Sequence, residues 1–148
     1  MKVERYIYRR NIIERCIIFI LCKLQGAELP PPQKNIGKDI RFPHGLKGII
    51  LHPSTIIKDN VTIFHQVTCG RGDMYRIDNR VLKSDFKGIV IEKGAVLCVG
   101  AKIICNKGIL TVGKQTIIGA NAVLTKSTGE DEIWAGVPAK FIKKRVIE

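Results

Sequence analysis

Leu51, Ile57, Ile63 and Cys69 stand six residues apart, and Thr55, Val61 and Val67 each follow an opening residue by four. An amphipathic helix repeats its apolar residues every three or four positions, and a half-buried strand alternates. A period of six fits neither. It fits a β-helix in which each block of six makes one short strand and a turn, and successive coils stack over a narrow core. The beat returns at Ile91, Leu97 and Ile103, with Ala95 and Ala101 in the small positions, and again at Val112, Ile118 and Leu124, with Thr116 and Ala122. Upstream, Ile36 and Phe42 keep the same spacing. The repeat therefore covers residues 36–126, with interruptions near 45–50, 70–88 and 109–111. A β-sandwich with accidental spacing would not hold phase across separate runs. The expected fold class is an all-β solenoid, with a helical segment over 1–25 and a β-helix domain over 26–148.

The core of such a solenoid is thin, so stacking and self-association must supply much of the burial in a chain of 148 residues. The net charge of +12 admits nucleic acid, an anionic membrane or a phosphorylated ligand as partner. Nucleic acid fits poorly, because aromatic residues are few and no nucleic-acid motif occurs. Cys16, Cys22, Cys69, Cys98 and Cys105 are odd in number, form no CxxC pair and follow no secretory signal. They read as apolar thiols in a reducing cytoplasm rather than as disulfides or metal ligands.

Residues 1–25 lack Gly and Pro and intersperse Arg5, Arg9, Arg10 and Arg15 with apolar residues. The apolar run is too short to span a bilayer, which takes roughly 20 residues. The segment reads as a helix packed on the solenoid or a neighbouring subunit, or as a basic amphipathic surface resting peripherally on anionic lipid. The two are compatible. Pro30, Pro31 and Pro32 then make a stiff lead into the first coil. Phe42 and Ile63 are three residues further apart than three hexads require, so a bulge near Gly45 and Gly48 is expected, and bulges re-aim side chains. Residues 70–88 form a long basic insertion of the kind that carries function. The Arg71-Gly72-Asp73 triplet within it reads as chance. Gly136 and Pro138 predict a turn, and the basic run beyond it a short helix capping the solenoid within 130–148.

The stretch from His44 through Ile50, the run from Ile57 to Gly70, the block from Gly119 to Lys126 and the run from Ala135 to Lys140 resemble the left-handed β-helix acyltransferases. The nearest branches are the serine O-acetyltransferases and the O-acetyltransferases of capsule and colanic-acid type polysaccharides. The resemblance implies a homotrimer of three-sided prisms, acetyl-CoA as co-substrate between subunits, and a histidine that deprotonates a hydroxyl. His44 matches that histidine. An imidazole titrating near neutrality suits the task. Glu28 matches the carboxylate that orients it, and His65 falls one coil away from His44. Gly100, Ala101, Gly119 and Ala120 match positions along the pantetheine arm, and Thr125, Lys126, Lys140 and Lys143 match those near the phosphates and adenine.

Three departures from the serine branch point elsewhere. Pro43 stands where those enzymes carry an aspartate, Lys87 and Gly88 where they carry a second histidine, and their large N-terminal helical domain has no match in these 148 residues. The expected acceptor is therefore a sugar hydroxyl in surface polysaccharide synthesis, with serine as the alternative. A metal-dependent hydratase of carbonic anhydrase type is remoter, because His44, His52 and His65 lack the paired spacing of its zinc ligands, and no metal is expected. A catalytically inactive scaffold is a third reading.

Overall fold

In the computed structural model the structure describes residues 12–29, 35–73 and 85–146. Among the described residues a helix, α1 (Ile12–Gln25), leads into a three-sided parallel β-helix wound in the left-handed sense. The first face stacks β1 (Ile50–Leu51), β4 (Thr68–Arg71), β7 (Lys102–Cys105) and β10 (Val123–Leu124). The second stacks β2 (Thr55–Ile57), β5 (Phe86–Ile91) and β8 (Gly108–Val112). The third stacks β3 (Thr62–Ile63), β6 (Val96–Leu97), β9 (Ile117–Ile118), β11 (Glu132–Ala135) and β12 (Lys140–Lys144). Isolated bridges from Glu28 to Ile50, Ile36 to Ile57 and Arg41 to Thr62 extend the faces downward.

The six-residue beat is a burial pattern. Block-opening residues face inward and stack by register: Leu51, Cys69, Ile103 and Leu124 on the first face, Ile57, Ile91 and Val112 on the second, and Ile63, Leu97, Ile118 and Trp134 on the third. The residue four places later is buried too, as at Thr55, Val61, Ala95, Ala101, Thr116 and Ala122. It must be small because it fills a corner of the triangle. Each fully buried Leu or Ile contributes about 1.5–3 kcal/mol. The coil then turns through left-handed backbone: Asp39, Asn60, Gly94, Gln115 and Asp131 line one edge with φ between 54° and 71°. Glycine, asparagine and aspartate adopt that region most readily.

The interruptions fall at the edges. Arg41 pairs with Thr62, so the first slip lies in the turns at 43–48, where it was expected. The second does not lie at 109–111, since Ile109–Thr111 belong to β8. Lys102 pairs with Val123 and Ile89 with Leu110, which puts the extra residues at the corner around Asn106 and Lys107. The insertion is shorter than the composition suggested, because β4 runs on through Arg71 and β5 starts at Phe86. Residues 74–84 and 1–11, including Arg5, Arg9 and Arg10, lie outside the described residues. The side chains of Arg71 and Asp73 pair through two hydrogen bonds of 2.9 and 3.0 Å, which gives the triplet a local structural role.

The expected C-terminal capping helix is not present. Residues 136–139 turn, and β12 returns antiparallel along β11. A helix here would have left the outer edge of β11 with unpaired backbone groups, whereas a returning strand satisfies them. Glu132 locks this hairpin: its carboxylate accepts from Gly129 N at 2.7 Å, from Trp134 Nε1 at 2.8 Å and from Lys144 Nζ at 3.3 Å.

Candidate active site

His44 stands exposed in the 43–48 loop, on the edge between the third and first faces. Gly45 (φ 71°) and Gly48 (φ 61°) supply the left-handed backbone that makes the bulge. Leu46, wholly buried, anchors it to the core. Gly45 N donates to Phe42 O at 3.0 Å and Ile49 N to Leu46 O at 3.0 Å, so the loop closes on itself. Its outer support comes from α1. Leu46 N donates to Gln25 Oε1 at 2.7 Å, and Gly48 N to Gln25 O at 2.9 Å. The last residue of the helix therefore holds the loop on both sides of its apex.

His65 lies one coil above. Its ring meets His44 edge-to-face, with centroids 5.1 Å apart and planes at 85°, and Phe64 flanks His44 at 5.8 Å. The His65 Nδ1 is buried and has no hydrogen-bond partner. Glu28 bridges by its backbone to Ile50 on the lower end of the first face, and its side chain is exposed. Among the described residues its carboxylate makes no hydrogen bond to His44.

The same edge continues upward through the turns at Gly100 and Gly119. Both are there for space: a Cβ on Gly100 would collide with Asn121 Oδ1, and one on Gly119 would stand 3.1 Å from the Ala135 Cβ. Ala120 is exposed on this edge, whereas Ala101 is wholly buried, and its backbone N–H and C=O bond Cys98 O and Thr68 N within the coils. At the top, Val123 N donates to Gly136 O and Ala139 N to Val123 O, seating the 136–139 turn over the edge with Lys140 just beyond. Thr125 and Lys126 follow β10 at the far end of the first face, and the Lys126 ammonium lies 5.4 Å from the Trp134 ring centre. Lys143 is exposed further along β12, opposite Ile133. Of the sequence-derived residues, His44, His65, Gly100, Gly119, Ala120 and Lys140 thus share one edge, and Thr125, Lys126 and Lys143 do not.

His52 sits at the opposite end of the first face. Its ring packs edge-on against Phe86 at 4.9 Å, and Nδ1 accepts from Ser54 N at 3.1 Å. Burial lowers its pKa, and the nearby Arg71 charge adds to this against an opposing effect of Asp73. The three histidines do not converge, and no group of three metal-ligating side chains occurs among the described residues. Sequence reasoning missed two residues on the site edge. Gln25 carries no signal beyond ending a helix, and Lys102, which bonds the turn carbonyls of two coils, is one basic residue among many.

The six-residue solenoid is the fold of the hexapeptide-repeat transferase class. No protein-family model matches the chain. It is 32% identical over 142 residues to the serine acetyltransferase of Helicobacter pylori, covering 92% of this chain and 72% of that one. It is 34% identical over 113 residues to that of Buchnera aphidicola, covering 76% and 39%. A solved serine acetyltransferase in complex with CoA superposes with a TM-score of 0.62 at 26% identity, covering 95% of this chain and 54% of that one. The chain belongs to the serine acetyltransferase family. It spans only 37–39% of the length of the first relatives it matches. These relatives overturn the expected sugar acceptor, since they are named for serine. Pro43, Lys87 and Gly88 are departures within that family, and they do not mark out a polysaccharide branch.

Among the described residues, no helix is long and apolar enough to cross a membrane.

Proposed function

We propose that this chain transfers the acetyl group of acetyl-CoA to the hydroxyl of serine, with His44 as general base. The observation that carries the reading is the placement of His44, pinned on a hinged loop at the foot of an edge that continues upward as small residues. The neutral His44 ring accepts the serine hydroxyl proton as that oxygen attacks the thioester carbonyl carbon. The C–S bond then breaks, and the proton on His44 passes to the departing sulfur. Loss of a general base costs about 10²–10⁴ in rate.

Glu28 is the candidate to orient the base. It is exposed, and no hydrogen bond among the described residues holds its carboxylate elsewhere. His65 walls one side of His44 through the edge-to-face contact of the two rings. The backbones at Gly100, Gly119 and Ala120 line the pantetheine arm, with Ala101 buried behind them, and Lys140 meets the phosphates where the edge reaches the cap. Thr125, Lys126 and Lys143 lie off this edge, so in this reading they reach the cofactor only from the groove's other wall.

The edge forms only one wall of a groove, so a second copy supplies the other, in a homotrimer. The exposed Ile13, Phe19, Ile20 and Leu24 of α1 suit contact with an anionic membrane, given the charge of +12. Light scattering, and flotation with anionic against neutral vesicles, test these two points. The reading includes a cytoplasmic location, on the sequence argument of five cysteines with no CxxC pair.

Acetyl transfer to serine by His44→Ala tests the whole. The variant is expected to bind acetyl-CoA as the parent does and to transfer at least about a hundredfold more slowly. Near-parent transfer by His44→Ala together with an inactive His65→Ala would move the base one coil up.

A further inference from the structure

One side chain ties two turns of the site edge together. Lys102 opens β7 on the outer side of the first face, and its Nζ donates to Gln66 O and Gly100 O, each at 2.9 Å. Gly100 N in turn donates to His65 O at 3.1 Å. The ammonium is therefore held between the coil of His65 and the coil of Gly100, on the carbonyl of the residue that follows His65. An ammonium has three donors, and two are used. Among the described residues no carboxylate pairs with Lys102, so a half-buried positive charge faces the site edge with one N–H unspent. Arg41 and Lys47 are the other cations of the lower coils near this edge. Both are exposed, and neither side chain makes a hydrogen bond among the described residues.

The serine reading requires such a group. Serine carries its carboxylate one carbon away from the CH₂OH that reacts, so a base on the hydroxyl needs a cation within the reach of one small molecule. A fixed cation is better than a swinging one, because its ordering cost is met on folding rather than on binding. We propose that Lys102 binds the carboxylate of the acceptor, through its third N–H and its fixed charge, and so selects an amino acid over an uncharged alcohol. The proposal rests on the serine reading and names the residue responsible for it.

The test compares L-serine with L-serinamide, which keeps the hydroxyl and amine but lacks the carboxylate, as acceptors for the full chain with acetyl-CoA. The parent is expected to favour serine. Lys102→Met is expected to reduce the serine-to-serinamide ratio of kcat/KM by about tenfold or more, the scale of a hydrogen bond to a charged group, mainly through KM for serine. Lys102→Arg should restore most of the ratio. A purely structural tie between turns would lower both acceptors alike and leave the ratio in place, and that result overturns the proposal. If Lys102→Met does not fold, Lys102→Gln, which keeps a donor without the charge, carries the same comparison. A parent that acetylates neither acceptor refutes the serine reading itself. A parent that acetylates serine without preference over serinamide refutes the role of Lys102 alone.

Discussion

Replacing Gln25 by Met should impair chemistry by loosening the loop that carries His44. Met keeps the length and apolar stem of the side chain but removes the acceptor that takes the Leu46 N–H at 2.7 Å. Leu46 is wholly buried, so water cannot readily replace that acceptor, and an orphaned buried donor costs about 1–3 kcal/mol. The Gln25 carbonyl still holds Gly48 N, so the loop is loosened rather than released. A cost of about 2 kcal/mol shifts the balance between the pinned loop and looser states by roughly thirtyfold, at 1.4 kcal/mol per factor of ten. The expected result is a fall in kcat of up to about thirtyfold, with a smaller change in acetyl-CoA affinity, because the upper edge is untouched. Gln25→Glu keeps an acceptor at the same reach and should recover most of the rate. Amide hydrogen exchange supplies an independent readout: protection at Leu46 should drop in Gln25→Met while the amides of β6 and β9 hold theirs. Parent-like kcat and parent-like exchange at Leu46 in Gln25→Met would refute the idea that α1 supports the catalytic loop.

Gly100→Ala meets a left-handed φ of 67° and the Asn121 side chain together. It should cost about 1–2 kcal/mol from the backbone alone and weaken acetyl-CoA binding. Adding Asn121→Ala should relieve the collision but not the backbone cost, and full recovery of stability in the double variant would contradict this. The Glu132 carboxylate is raised by burial, but its bonds to Trp134, Gly129 and Lys144 outweigh that and hold its pKa low. Its contribution is thus present above the ordinary carboxylate range near 4.3 and is lost as pH falls through the lower folded value. Amide protection factors across 129–146 should fall below about pH 4, and Glu132→Gln should flatten that dependence. An unchanged acid limb in the variant would show that another group governs it.

Much of the solenoid was legible because its period is a local property. Each hexad must turn one large residue and one small residue inward, so Leu51, Thr55, Ile57 and Val61 record their burial in their spacing. The slip after Phe42 was legible for the same reason, as a count that failed to close. The slip assigned to 109–111 was misplaced. Counting shows that three residues are surplus but not which three, and the pairing of Ile109–Thr111 with β5 pushed the surplus into the corner at Asn106. The C-terminal strand was misread as a helix because its basic, partly apolar run suits either state. The unpaired edge of β11 decided between them.

The sequence by itself determined the coil, the inward residues and the hinge that exposes His44, since each follows from stereochemistry within a few neighbouring residues. Only the tertiary structure decided which residues share the site edge. It brought Gln25 under the loop from twenty-one positions away and set Lys102 between the coils of His65 and Gly100. It also carried Lys126 away to Trp134. Stacking makes neighbours of residues separated by a whole coil and by whatever surplus each edge absorbs, and no local pattern states that sum.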